Sequence, residues 1–311
     1  MPRLFDAYIA VDWSWRSNPS PAGPSKDAIW VGERLAQSEV DTSVVGEAYF
    51  RTRLECKTHV RNRLLQHADH RRRVLIGFDF AYGYPEGYVD ALGLDVDLPP
   101  WRRVWNELTE LVTDNARNLN NRFGAAAELN ARCGEPTPGP FWGCPSGRQR
   151  PTLKMTSPVY PYTTRSGLTL DRLRQVDKRQ RGAQETWKLF GAGSVGGQSL
   201  VGIPVVRGLR DDTRLAAFSR VWPFETGFVS SPVPDEGPFA LHVEIFPGNV
   251  PDQLDADLAI RDQAQVRAVT NWLSRLDSDG QLRRLFATPD GLSPEEIDAC
   301  VEEEGWIIGS G

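Results

Sequence analysis

The chain has 311 residues, 40% hydrophobic and 25% charged, with a formal net charge of -5. That mixture excludes a collagen-like rod, a coiled coil and a wholly disordered chain, and the length allows one large domain or two small ones whose core needs no disulfide or structural metal. No apolar run reaches the ~20 residues that span a bilayer, and the start Met1-Pro2-Arg3-Leu4-Phe5-Asp6 lacks a signal-peptide core, so a soluble cytoplasmic protein with no membrane attachment is expected.

Residues 7–11 are apolar and β-prone and run into Asp12-Trp13-Ser14. A Pro/Ser-rich loop at 18–25 separates this strand from two more, at 28–35 and 46–50, which predicts an antiparallel meander. Leu54, Val60, Leu64 and Leu65 sit near helical spacing, so a helix is expected over 55–69, closed by Arg71-Arg72-Arg73. The apolar run 74–80 reads as a buried central strand carrying Asp79, followed by a loop at 81–85. A helix is expected over 100–115, with Pro100 in its first turn.

Residues 117–235 are rich in Gly, Pro, Arg and Trp with weak periodicity, and read as an insertion or cap subdomain with a helix near 170–188. Strand character returns at 240–246, then a helix at 258–276 and a last one at 294–304, started by Ser293-Pro294-Glu295-Glu296. The order predicts an α/β fold: a mixed five-stranded sheet with helices on both faces, built from 1–116 and 236–311 and interrupted by the insertion.

Asp12, Asp79 and Glu244 each lie near the carboxyl end of a predicted strand. One such acid caps a loop or meets an arginine. Three on neighbouring strands converge on one edge, where their mutual repulsion calls for a hard divalent cation such as Mg²⁺ or Mn²⁺.

The strand ending in Asp12, the meander, and the Gly77-Phe78-Asp79-Phe80-Ala81-Tyr82-Gly83-Tyr84-Pro85 and Val243-Glu244-Ile245-Phe246-Pro247 motifs resemble the RNase H-like superfamily, in particular its RuvC-type branch and related uncharacterised bacterial families. The resemblance covers 5–115 and 238–304. It implies a nuclease-like hydrolase with a carboxylate cluster holding two Mg²⁺ or Mn²⁺ ions. Asp12 matches the first-strand acid and Asp79 the fourth-strand acid. Asp298 is the best match to the acid on the C-terminal helix, with Asp262 and Glu303 as competitors, and Glu244 is an additional member. Trp13 after Asp12 departs from the actin-like ATPases of the same superfold, which place glycine there. Ser14 either hydrogen-bonds the site or turns the chain.

Charge is polarised. Residues 148–188 carry ten basic residues and three acids, whereas 235–304 carry sixteen acids and five arginines. Arg148, Arg179, Arg181 and Lys188 are candidate phosphate ligands beside a metal site, with Trp142, Tyr160, Tyr162 and Trp187 available to stack bases; the alternative is a solvated basic helix with aromatics packing a cap. The glycine loop 191–197 matches G-x-G-x-x-G, but an apparent helix at 184–190 precedes it and Leu200-Val201-Gly202-Ile203-Pro204 follows, the wrong setting for a dinucleotide site. Gly193 and Ser194 form an anion nest, a hinge or lid, or a packing loop.

Cys56, Cys133, Cys144 and Cys300 form no C-x-x-C pair and read as buried thiols; His59, His67 and His70 read as members of a surface helix. The function these features favour is hydrolysis of a nucleic-acid or nucleotide phosphodiester. A non-catalytic binding module, or a small-molecule phosphotransfer or biosynthetic enzyme with the insertion as a lid over a nucleotide-like ligand, are the alternatives.

Overall fold

The computed structural model describes residues 2–36, 46–134 and 138–311. Three strands open the chain, β1 (Ala7–Asp12), β2 (Ile29–Leu35) and β3 (Gly46–Phe50), paired antiparallel as the expected meander. Helix α1 (Arg53–Asp69) leads to β4 (Arg73–Phe78), which lies parallel to β1. Thr52 and Glu55 form a capping box at the start of α1, pairing two amides that a helix end otherwise leaves open.

Helices α2 (Tyr88–Ala91), α3 (Pro100–Leu111) and α4 (Arg122–Gly134) come next. A hairpin of β5 (Tyr162–Thr163) and β6 (Thr169–Leu170), the short α5 (Gln175–Arg179) and the long α6 (Val195–Arg210) follow. Strands β7 (Ser219–Val221) and β8 (Phe239–Glu244) return to the sheet. Helices α7 (Arg261–Ser278), α8 (Leu282–Phe286) and α9 (Pro294–Ala299) complete the set, α9 passing into a π-turn at Cys300–Glu304.

The main sheet has the order β3-β2-β1-β4-β8-β7, with β1, β4, β8 and β7 mutually parallel. It has six strands where five were expected. The sixth, β7, lies within 117–235 and is only three residues long, Ser-Arg-Val, too short to alternate recognisably. Helix α6 from the same segment packs on α3 and α1, so this stretch contributes to the central layers as well as to the surface.

Side-chain alternation divides the sheet into two apolar faces. Ala7, Ile9, Val11, Val74, Ile76 and Phe78 face one core, shared with α1, α3, α4 and α6. Tyr8, Ala10, Leu75, Leu241 and Val243 face the other, shared with α7 and α8. Both faces are thus covered by helices, which is why these strands read as continuous apolar runs.

Three expectations are corrected. The helix near 170–188 is reduced to α5, because Gly182 turns the chain at φ +87° and Trp187 is drawn into an aromatic cluster with Tyr84, Tyr88 and Phe141. The glycine loop does open a helix, α6, despite Pro204 inside it; the segment before it is not helical and forms a parallel bridge from Lys188 to Trp142, whose indole also donates to Glu185. His67 is fully buried, its Nε2 2.7 Å from Glu33, which also takes Arg63. The four cysteines are free and buried.

The π-turn clasps the loop after β4. Glu303 accepts from the amides of Gly87 and Val89, and Glu304 from those of Glu86 and Gln175. A Cβ on Gly83 would stand 2.1 Å from the Glu303 carbonyl oxygen, so only glycine permits the approach. Among the described residues, no helix is long and apolar enough to cross a membrane.

Candidate active site

Register brings two acids side by side. Val11 pairs with Phe78, so Asp12 at the end of β1 and Asp79 just past β4 are neighbours across the parallel ladder, which continues through the bond from the Asp79 amide to the Val11 carbonyl. Alternation points both to the face covered by α7. Helix α7 begins over this edge, and its first turn carries Asp262.

The three carboxylates, each half-buried, affect one another's protonation. Desolvation raises the Asp12 pKa, and the charges of Asp79, Asp262 and Asp27 raise it further. Burial likewise raises Asp79, with Asp262 adding to it and the Trp13 amide opposing. Asp262 is raised by burial first, while its bonds to the amides of Asp27 and Ala28 pull the other way.

Asp12 and Asp262, with Asp27, line a cavity of about 460 Å³ that the glycine loop also walls, and Asp79 sits behind Asp12 outside that lining. Gly191 and Gly193 there have φ of +94° and +69°, and Ser194 precedes the first turn of α6 with a buried hydroxyl that has no hydrogen-bond partner. The chain between the two walls is fixed from three sides. The Trp13 amide donates to Asp79 Oδ1, Gln198 Nε2 donates to the Trp13 carbonyl at 2.7 Å, and the buried Arg53 guanidinium donates to the carbonyls of Ser14 and Arg16.

The other expected residues are distributed as follows. Ser14 lines the cavity; its hydroxyl donates to the Asp27 carbonyl and accepts from the Arg16 amide. Lys188 lies at the root of the glycine loop, donating to the Ala192 carbonyl and lying over the Trp142 ring. Arg148 lines a neighbouring cavity. Arg179 donates to the carbonyls of Asp290 and Gly291, and Arg181 is exposed.

Glu244 does not join Asp12 and Asp79. Alternation sends it to the face of Ala240, where Arg174 meets it with both terminal nitrogens, at 2.7 and 2.8 Å, and the Tyr82 amide donates to it. Arg174 also binds Asp177, so this is a buried ion-pair network. Asp298 is exposed on α9 and, among the described residues, bonds to none of these acids.

The donor set at the cavity is all carboxylate, with neither thiol nor imidazole. Such a set fits a hard divalent cation, which would also relieve the repulsion that raises these pKa values. As the side chains are posed, no group of three His, Cys, Asp or Glu among the described residues is set to hold an ion. Asp27, Gln198, Arg53 and Trp15 were not singled out in the sequence, because backbone and amide contacts leave no periodic signal. Comparison with protein-family models, curated proteins and solved structures returned no match.

Proposed function

We propose that the protein is a metal-dependent hydrolase of RNase H-like type that acts on a phosphodiester of a nucleic acid or nucleotide. One observation carries the reading: Asp12 and Asp79 end adjacent parallel strands on one face, and α7 begins over them with Asp262. The strand order and the motifs around Asp12, Asp79 and Glu244 support the same reading.

Asp12, Asp79 and Asp262 would hold Mg²⁺ or Mn²⁺, which supplies Lewis acidity and an activated water. The chain does the rest. The Trp13 amide keeps one oxygen of Asp79 fixed. Gly191 to Ser194 and the amino end of α6 face the acids across the cavity, where the helix end and the spare Ser194 hydroxyl suit a phosphate oxygen. Glu244 holds Arg174 and thereby the loop after Asp79, a structural rather than a ligating role.

The test is calorimetric titration of Mn²⁺ into wild type, Asp12→Asn and Asp79→Asn, with hydrolysis of bis(p-nitrophenyl) phosphate measured alongside. Wild type should bind and hydrolyse, and both variants should lose both properties. Equal turnover in wild type and the two variants removes the assignment.

A further inference from the structure

A second cavity of about 570 Å³ adjoins the acid-lined one and shares Trp15 and Arg16 with it. Arg16, Arg122, Arg148 and Arg150 line it, Phe190 contributes a 41% exposed ring, and no Asp or Glu belongs to its wall. Among the described residues no carboxylate pairs with any of these four guanidinium groups.

The other buried arginines behave differently. Arg53 is paired with Asp114, and Arg174 with Asp177 and Glu244. Arg122 is 2% exposed, yet its side chain donates only to the Ser17 hydroxyl and to Asn120 Oδ1, and its Nε has no partner. It lies 4.7 Å over Trp15 and 4.3 Å over Phe123, which hold it flat. Burial, together with the charges of Arg53 and Arg148, lowers its pKa to about 10. Asp114 opposes that shift only from a distance, being paired with Arg53, so Arg122 is a buried cation with no carboxylate of its own, a costly state that leaves an anion site half built.

We infer that this groove binds the backbone of a single-stranded nucleic acid, with phosphates on Arg16, Arg122, Arg148 and Arg150 and a base against Phe190. The inference rests on the proposed hydrolysis only for which bond reacts: the next phosphodiester along the strand reaches Asp12, Asp79 and Asp262 past Trp15. Single strands fit better than duplex. The exposed ring needs an unpaired base face to stack on, and the basic surface is one groove on a chain of net charge -5, not a broad face.

The experiment is fluorescence anisotropy of a labelled oligothymidylate of about 12 nucleotides, alone and as a duplex, in EDTA. Wild type should bind the single strand more tightly than the duplex. Reversing the two exposed arginines together, Arg148→Glu with Arg150→Glu, should weaken binding about tenfold or more and flatten the log–log salt slope by about 1.4, two phosphates at about 0.7 each. Phe190→Ala should lose roughly fivefold or more. Arg284→Glu, at an exposed position of α8, should change nothing.

No binding by wild type, a preference for duplex, or unchanged binding in the double variant and in Phe190→Ala would overturn the inference. Because the assay contains no divalent ion, those results leave the hydrolytic reading to its own test. Strand binding by a wild type that hydrolyses nothing would remove that reading and leave the groove.

Discussion

The Trp13 amide nitrogen donates to Asp79 Oδ1 at 2.7 Å. The residue after one acid thus fixes the orientation of the next, and the two carboxylates are held near each other by backbone that cannot relax their repulsion. Asp12→Asn should therefore stabilise the metal-free protein, by about 1 kcal/mol, while turnover falls at least about 100-fold. Calorimetric melting in EDTA and hydrolysis with Mn²⁺ check the two halves. A melting temperature several degrees below wild type would mean that Asp12 is a net stabiliser.

Arg174 separates ion-pair chemistry from metal chemistry. Its guanidinium is buried and holds Asp177, Glu244 and the Glu304 carbonyl. Arg174→Ala leaves two carboxylates buried without a counter-ion and should cost about 3–5 kcal/mol in denaturant unfolding. Glu244→Gln should destabilise less and leave Mn²⁺ affinity at the wild-type level. A tenfold loss of Mn²⁺ affinity in Glu244→Gln would return Glu244 to the metal site.

The meander, the central strand and the first and last long helices were legible because their residues alternate or repeat with the period of the element they form. Asp12 and Asp79 were legible because each ends such a run. Glu244 also ends a strand, but sequence does not say which face it takes. That depends on the β4–β8 register, and the register puts it with Arg174, 70 positions away. Asp262 was one of two competitors to Asp298 for the last acid; only the position of α7 over β1 and β2 sets it apart from Asp298. Helix α6 was missed because Gly and Pro lower its intrinsic propensity, and packing holds it instead.

The same helix yields a paired prediction. A Cβ on Gly196 would stand 2.1 Å from the Thr186 carbonyl oxygen and 2.8 Å from that of Lys188, both rigid backbone. On Gly208 it would meet only the end of the Lys57 side chain. Gly196→Ala should destabilise by about 1–3 kcal/mol and reduce turnover by shifting the α6 end against the acids, whereas Gly208→Ala should be neutral or stabilising by up to about 1 kcal/mol. Urea melts of both variants decide it, and equal midpoints would show that the α6 end is not tightly seated.

His242 gives a pH dependence remote from the acids. It is fully buried, with the Ser219 hydroxyl 2.8 Å from its Nε2, and burial, helped by the charge of Arg210, lowers its pKa to about 3. The folded protein therefore binds fewer protons than the unfolded chain between about pH 6.5 and 3. His242 contributes no penalty above that window, and stability falls as pH drops through it by up to about 1.4 kcal/mol per unit. His242→Phe should flatten the profile of unfolding free energy between pH 6.5 and 4. An unchanged slope would assign the acid sensitivity to other groups.

The clasp between the π-turn and the loop after β4 joins residues 216 positions apart, through the Glu303 bond to the Gly87 amide. During synthesis, β1 and β4 leave the ribosome long before residues 300–304 do, so the turn that follows Asp79 lacks its fastening for most of translation. Asp12 and Asp79 can thus be aligned by β1, β4 and the Trp13 amide while the loop behind them is still unfastened and Asp262 has yet to emerge, so the acidic edge is completed in two stages far apart in synthesis.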